Sequence, residues 1–225
     1  MIQGILFDYD GTLSARYESA YHMYRHIMQE CRPDLDDESI EFESMVQRCM
    51  YWDEYGTAHK SYVLEQMKAN YCPNLNVKQW EQRWRDEFYL YQVAMPGMLE
   101  TLPELKKKYR IGIITNGDGP SQNRKIDTLG LRRYCHTVIA SGDLGFSKPD
   151  PEIFLHAAED LGLYTSEVAF IGDTFHTDVL GAYNAGMLPV WYCYERRTET
   201  LYDVKKVHDF EEIRDMFLVH DEWNV

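Results

Sequence analysis

The sequence predicts an α/β protein in which a parallel sheet is interrupted by a helical insertion. A short apolar run from Ile2 to Phe7 leads directly into polar residues and Gly11, which is typical of a buried strand that ends in a tight turn. Residues 17–92 show helical periodicity and no convincing strand. From Met95 onward, amphipathic stretches alternate with short apolar runs, a pattern that indicates parallel strands joined by helical crossovers.

The insertion is predicted to contain four helices, with breakers at residues 32–34, 55–57 and 72–74. The four segments read YESAYHMYRHIMQEC, ESIEFESMVQRCMYW, HKSYVLEQMKANYC and VKQWEQRWRDEFYLYQV. Within the last segment, Trp80 and Trp84 are four residues apart. We therefore interpret the aromatic residues of the insertion as the core of a small helical bundle. A stacking surface for a nucleobase or a sugar ring is the alternative interpretation.

After the insertion, the chain is predicted to add four strands to the first one. These are IGIIT, HTVIA, VAFIG and LPVWYC, and the helices before them are placed at residues 98–108, after Pro120, at 151–161 and at 177–185. The first strand must join the same sheet, because alone it would leave its backbone groups unpaired. We expect residues 1–14 and 95–225 to form a Rossmann-like core, and residues 15–94 to form a helical domain.

Composition excludes several classes of function. The 225 residues carry a formal net charge of -14, which argues against binding to nucleic acid polymers or to anionic membranes. The sequence lacks the run of roughly 20 apolar residues that a bilayer span requires, and it begins without a leader-like segment, so we expect a cytoplasmic protein. The five cysteines form no CxxC pair, which favours reduced thiols. The oligomeric state stays open.

Chemically active side chains follow the predicted strands. Parallel strands meet at one edge of a sheet with their carboxyl ends, which is where ligands bind in open α/β folds. The residues brought to that edge are Asp8, Asp10, Thr115, Lys148, Asp173 and Asp178. Four carboxylates so close together would repel one another unless they bound a cation or were protonated. Mg²⁺ is the ion that suits carboxylates, water and phosphate oxygens, so a magnesium site is predicted.

Four short motifs carry a resemblance to a known family. DYDGT, TNG, KPDPEIF and GDTFHTD match, in this order, the four motifs of the haloacid dehalogenase-like hydrolase superfamily. The resemblance covers residues 1–14 and roughly 95–193. The insertion between the first two motifs resembles the helical cap of that superfamily, although its sequence is not diagnostic.

The resemblance implies roles for the carboxylates. Asp8 would be the nucleophile that becomes an aspartyl-phosphate. Mg²⁺ would be held by Asp8, the main-chain carbonyl of Asp10 and Asp173. Asp178 is also predicted to lie at the metal site, where it would orient Lys148 or a metal-bound water. Asp10, with a pKa raised by surrounding anions, would protonate the leaving alcohol and later accept a proton from water.

The resemblance also implies a substrate-binding set. Lys148 and Thr115 would bind the phosphate and take part in catalysis. Asn116 and Gly117 would contribute at the second motif, where the backbone N–H of Asn116 holds a phosphate oxygen. Thr12 is included in this set and is expected to fix the turn that carries Asp10.

The predicted function is Mg²⁺-dependent hydrolysis of small phosphomonoesters, such as a nucleotide or a sugar phosphate. Asp10 favours phosphate chemistry over halide release, since a halide leaves without a proton. Two alternatives stay open. One is a phosphomutase of the β-phosphoglucomutase type, in which the aspartyl-phosphate has a different fate. The other is a noncatalytic binding protein that has kept the fold.

Overall fold

The computed structural model describes residues 1–194 and 199–219, which form six strands and ten α-helices. The strands are β1 Gly4–Phe7, β2 Arg110–Thr115, β3 Thr137–Ala140, β4 Val168–Gly172, β5 Leu188–Tyr192 and β6 Lys205–Val207. The helices are α1 Arg16–Cys31, α2 Ile40–Asp53, α3 Lys60–Asn70, α4 Val77–Glu87, α5 Met98–Lys106, α6 Gly119–Thr128, α7 Ser141–Leu144, α8 Pro151–Leu161, α9 Leu180–Asn184 and α10 Phe210–Arg214.

The strands form one parallel sheet in the order β3-β2-β1-β4-β5-β6. β1 lies at the centre and pairs with β2 on one side and with β4 on the other. The chain crosses from one half of the sheet to the other at this point, where ligands bind beyond the carboxyl ends of the strands. The predicted α/β fold with a Rossmann-like parallel sheet is confirmed.

The sheet contains one strand that the sequence interpretation missed. β6 is three residues long and reads Lys-Lys-Val, so its apolar signal is too weak to be read as a strand. It pairs with β5 at the edge of the sheet, where short strands and lysine side chains oppose edge-to-edge association. The helix predicted at 177–185 also differs, because Phe175–Val179 forms a π-helical turn before α9 begins.

The sheet core is made of the apolar residues that the strands and α8 contribute. Leu6, Ile114 and Phe170 come from three adjacent strands, and Phe154 and Ala157 of α8 pack against them. Phe154 and Phe170 meet edge to face, with ring centroids 4.9 Å apart. This packing fixes the positions of β1, β2 and β4, whose ends carry the predicted site.

The insertion forms its own apolar core from α1 to α4. Trp80, Trp84 and Phe88 are buried in this cluster, and Trp84 stacks on Phe88 with ring centroids 4.8 Å apart. Side chains spaced by four residues face the same side of a helix, which explains why they meet in one core. The packing interpretation of this aromatic stripe is therefore confirmed.

Packing divides the chain into two compact units, one made of Met1–Ser14 with Ala94–Val225 and the other of Ala15–Val93. The first unit contains the sheet and the second contains α1 to α4. Among the described residues, no helix combines the length and the apolar character needed to cross a membrane.

Candidate active site

The turn after β1 carries the first carboxylate into the site. Asp8 directly follows the strand, and its N–H donates to the carbonyl of Ile171 in β4 at 2.9 Å. Gly11 then adopts a φ of +94°, and a Cβ at this position would lie only 2.6 Å from Asp173 Oδ2. The turn therefore needs glycine both for its backbone conformation and for the close approach of Asp173.

A buried ammonium group joins two of the predicted carboxylates. Lys148 Nζ lies 2.6 Å from Asp8 Oδ1 and 2.8 Å from Asp178 Oδ1, and all three side chains are buried. Asp178 belongs to the π-helical turn after β4, and its other oxygen accepts the N–H of Thr174 at 3.0 Å. Burying an ammonium group is costly, and the two carboxylates in contact with it offset that cost.

Asn116 fixes the segment that carries Lys148. Its side-chain amide donates to the carbonyl of Lys148 at 2.9 Å, and its Oδ1 accepts the N–H of Lys148 at 2.9 Å. The side chain of Asn116 thus joins the end of β2 to the loop before α8. Its predicted contact with a phosphate would have to come from the backbone N–H.

The remaining predicted substrate-binding residues lie at different depths. Thr115 is buried at the end of β2 and lines the cavity of the site. Thr12 is fully buried in the turn after β1. It is not among the described residues that line the cavity. Gly117 donates its N–H to Ser141 Oγ at 3.0 Å and is likewise absent from the described lining. The predicted contact of Thr12 and Gly117 with a substrate therefore stays a prediction.

Asp10 has neighbours that the sequence interpretation did not identify. Its Oδ2 accepts hydrogen bonds from Lys125 Nζ at 2.5 Å and from Gln122 Nε2 at 3.1 Å, both on α6. This differs from the expectation that anions surround Asp10. Gln122 and Lys125 are three residues apart and therefore share a helix face. This spacing is the sequence feature that could have indicated that the two residues contact the same group. The sequence alone does not show that this face points toward the turn after β1.

Burial and charge act in opposite directions on the paired groups. Burial is the main influence on Asp8 and raises its pKa to about 8, although Lys148 acts to lower it; Asp178 and Asp173 add to the rise. Burial would lower the pKa of Lys148, but Asp178 and Asp8 outweigh it and hold that pKa above its ordinary value. A cation bound beside these carboxylates would lower the pKa of Asp8 and favour its ionised form.

Three carboxylates are arranged so that they could hold a metal ion. Asp8, Asp173 and Asp178 each offer an oxygen, and these atoms lie within 4.8 Å of one another. Carboxylate oxygens are the ligands that Mg²⁺ prefers. When all three carboxylates are ionised, they and the ammonium of Lys148 carry two net negative charges, which a divalent cation would balance. The side chain of Asp10 is not part of this triad, so its predicted metal contact would use the main-chain carbonyl.

The site opens into a cavity of about 150 Å³ at the carboxyl ends of β1, β2 and β4. Its lining residues are Asp8, Asp10, Thr115, Asn116, Lys148, Asp173, Thr174, Thr177 and Asp178. Thr174 and Thr177 were not predicted as site residues. All the predicted catalytic residues and all the predicted metal ligands are brought together here.

The family follows from a comparison with known sequences. A family model described as haloacid dehalogenase-like hydrolase matches residues 5–191. The chain belongs to this family. The match spans both the sheet and the insertion, and the site of this haloacid dehalogenase-like hydrolase lies within the matched residues.

Relatives of similar length are phosphatases. The glyceraldehyde 3-phosphate phosphatase of Methanopyrus kandleri is 30% identical over 201 residues, which cover 84% of this chain and 83% of that protein. The protein of the same name from Pyrococcus furiosus is 31% identical over 221 residues, which cover 93% of this chain and 88% of that protein. The chain is accordingly an enzyme of the phosphoric monoester hydrolase type within its family.

Solved structures share the fold across both units. A haloacid dehalogenase-superfamily hydrolase from Geobacter sulfurreducens superposes with a TM-score of 0.73 at 22% identity and covers 96% of each chain. The magnesium-bound structure of the haloacid dehalogenase-type protein YfnB from Bacillus subtilis has a TM-score of 0.72 at 19% identity, covering 97% of this chain and 99% of that one. At these identities the comparison establishes the fold alone.

Proposed function

We propose that this hydrolase is a Mg²⁺-dependent phosphatase of small phosphomonoesters in which Asp8 is the nucleophile. The observation that carries the proposal is the contact between the buried Lys148 ammonium and Asp8, 2.6 Å apart, beside two further carboxylates. A carboxylate attacks a phosphate only when cations offset the repulsion between the two anions.

The metal would be held by Asp8, Asp173 and the main-chain carbonyl of Asp10, with Asp178 beside them. When bound, Mg²⁺ would supply positive charge that keeps Asp8 ionised and neutralises the phosphate oxygens. The observation that supports this fit is the close grouping of three carboxylates, which would carry two net negative charges beside Lys148 when all three are ionised.

The reaction divides into two transfers at phosphorus. A carboxylate oxygen of Asp8 bonds to phosphorus while the bond between phosphorus and the ester oxygen breaks, and the Asp10 carboxyl gives its proton to the departing oxygen. A water molecule then attacks the phosphorus of the aspartyl-phosphate, and Asp10 takes up one of its protons. The Asp8 carboxylate is regenerated and inorganic phosphate leaves.

The side chains that line the cavity would hold the phosphoryl group during both transfers. Lys148 fixes Asp8 at Oδ1 and supplies positive charge next to it. Thr115 lies at the end of β2 and lines the same cavity, where its hydroxyl would donate to a phosphate oxygen. Positioning and charge neutralisation are the main requirements of phosphoryl transfer.

Two observations support a small substrate. Ligand pockets usually measure roughly 300–1,000 Å³, so the cavity of about 150 Å³ favours a small phosphate ester. The relatives of similar length are named for glyceraldehyde 3-phosphate. We therefore place three-carbon phosphate esters first among candidate substrates, with sugar phosphates and nucleoside monophosphates after them.

Phosphate release from a panel of esters tests the proposal. The panel would contain glyceraldehyde 3-phosphate, sugar phosphates and pyrimidine nucleoside monophosphates, each with MgCl₂ and with EDTA. We expect release with MgCl₂, none with EDTA, and a loss of at least about a thousandfold in Asp8→Asn. Lys107→Met, at an exposed position on the sheet unit, is the matched control and should keep wild-type activity.

Two outcomes would contradict the proposal. Activity in Asp8→Asn at a tenth or more of the wild-type rate would show that Asp8 is not the nucleophile. Isomerised product with little free phosphate, dependent on a bisphosphate activator, would instead indicate a phosphomutase.

A further inference from the structure

The buried side chain of Lys125 contacts Oδ2 of the Asp10 carboxyl group. Lys125 Nζ lies 2.5 Å from this oxygen, and its side chain is only 7% exposed. The ammonium also lies 5.2 Å from the centre of the Tyr9 ring, which adds a cation–π contact next to the ion pair. Lysine loses hydration when buried, and Oδ2 of Asp10 replaces part of that hydration as a hydrogen-bond acceptor.

Gln122 supports the same contact from one helical turn earlier. Its Nε2 donates to Asp10 Oδ2 at 3.1 Å and to the carbonyl of Asn116 at 2.9 Å. It therefore links the turn after β1 to the turn after β2. Gly117 leaves the space for this link, because a Cβ there would lie 2.7 Å from Gln122 Nε2.

The N-terminus of α6 is capped, which helps to hold the helix face of Gln122 and Lys125 toward Asp10. Asp118 caps the helix and accepts the N–H of Ser121 at 3.0 Å. Gln122 and Lys125 follow on the first turns of the helix. Two donors on one carboxylate oxygen fix the rotation of the Asp10 carboxyl group, and so they also fix where its Oδ1 lies.

We propose that Lys125, supported by Gln122, is a positioning residue that holds the Asp10 carboxyl group in the orientation needed for proton transfer to the leaving oxygen. This inference rests on the proposed phosphatase function. Lys125 acts through Asp10: it is absent from the described lining of the phosphate cavity, so it should affect proton transfer more than phosphate binding.

Leaving groups of different basicity separate this role from a structural one. When phosphorus transfers to Asp8, the ester oxygen departs with the bonding electrons and takes a proton from Asp10. A nitrophenolate is stable without that proton, whereas an alkoxide is not. A misplaced Asp10 should therefore slow the transfer from an alkyl ester far more than the transfer from a nitrophenyl ester.

The test compares kcat/KM for para-nitrophenyl phosphate, phenyl phosphate and benzyl phosphate, which share a ring of the same size. General acid catalysis contributes roughly 10²–10⁴-fold, so Lys125→Met should lose at least about tenfold more activity on benzyl phosphate than on para-nitrophenyl phosphate. Its KM should stay close to the wild-type value. Gln122→Met should change the same ratio in the same direction, by a smaller factor, and it also serves if Lys125→Met does not fold.

The control is the same substitution in a protein that lacks the Asp10 carboxyl group. In Asp10→Asn, adding Lys125→Met should produce no further dependence on the leaving group, because a positioning residue has nothing left to position. Lys107→Met, which removes an exposed ammonium group, should leave the ratio unchanged. Circular dichroism and thermal unfolding would establish that each variant is folded.

Three results would overturn the inference. They are an equal loss on all three esters, a loss confined to KM, and a leaving-group dependence of Lys125→Met that persists in Asp10→Asn. If the wild-type protein releases phosphate from none of these esters or from the metabolite panel, the proposed function itself fails. Turnover by the wild type with an unchanged ratio in Lys125→Met removes only the positioning role.

Discussion

At the scale of single residues, Lys148 is the buried cation that contacts two carboxylates of the candidate site. It pairs with Asp8 and Asp178 in a region that is almost closed to solvent. Without this ammonium, Asp8 and Asp178 would lose the buried positive charge that lies 2.6 Å from one and 2.8 Å from the other. The same residue thus supports folding and the proposed chemistry.

Lys148→Met should lower both stability and activity. Removing one partner of a buried ion pair costs about 3–5 kcal/mol, so the free energy of unfolding in EDTA should fall by about that amount. Phosphate release should fall by at least about a hundredfold, since charge next to the phosphoryl group is lost. Urea unfolding and a phosphate assay would measure the two effects.

The exposed Lys107→Met is the matched control for this variant and should change neither quantity by much. Wild-type turnover in Lys148→Met would mean that the ammonium has no part in the reaction. An unchanged free energy of unfolding would mean that the three carboxylates do not depend on it.

At the scale of secondary-structure elements, α2 carries a buried carboxylate that joins helices of the insertion. Asp53, at the end of α2, accepts a hydrogen bond from Tyr24 of α1 at 2.6 Å and pairs with Lys60 at the start of α3. Arg16 of α1 lies 3.7 Å from its other oxygen. Burial alone would raise the pKa of Asp53, but Arg16 and Lys60 outweigh burial and hold it below its usual range.

This arrangement predicts how stability depends on pH. A carboxyl group whose pKa is lowered by folding stabilises the protein above the pKa of the unfolded chain, here 3.8, and loses that contribution as the pH falls through the lower folded value. Asp53→Asn should therefore unfold more easily at neutral pH, and it should lose less stability than the wild type between about pH 5 and pH 2.

Urea unfolding from neutral to acid pH would measure this difference. Asp34→Asn is a control at an exposed carboxylate of the same unit and should behave like the wild type at neutral pH. Parallel loss of stability by the wild type and Asp53→Asn on acidification would contradict the role given to Asp53.

The elements differ in how far they could be predicted. β1, β2, β4 and β5 are apolar runs bounded by turn signals, so their burial is visible in the sequence. β6 is an edge strand with two lysines, and its pairing depends on β5 rather than on its own composition.

The residues of the site also differ in how far they could be predicted from the sequence. The carboxylates could be placed because the ends of parallel strands share one edge. The contact of Lys125 with Asp10 depends on the direction in which α6 leaves β2, which only the packed structure determines.

At the scale of the whole molecule, the net charge of -14 opposes the approach of an anionic substrate. The site itself would be close to neutral once a divalent cation had balanced its carboxylates. The long-range field should therefore remain repulsive, and salt should weaken it.

Raising the NaCl concentration at saturating MgCl₂ should consequently increase kcat/KM. Between about 0.01 M and about 0.15 M salt, the Debye length falls from about 30 Å to about 8 Å, which screens charges distant from the site. Initial rates at substrate concentrations well below KM would measure the effect, and tetramethylammonium chloride would control for specific binding of sodium. A decrease in kcat/KM over this range would show that the field around the site attracts anions.

Reductive trapping of the phosphorylated enzyme tests the role of Asp8 most directly. Borohydride added during turnover reduces an acyl phosphate to an alcohol, so residue 8 should be converted to homoserine and be found in the peptide that contains it by mass spectrometry. Conversion should require both MgCl₂ and a phosphate ester, and it should be absent in Asp8→Asn. Phosphate release by the wild type without reduction at residue 8, or with reduction at another carboxylate, would contradict the proposed reaction.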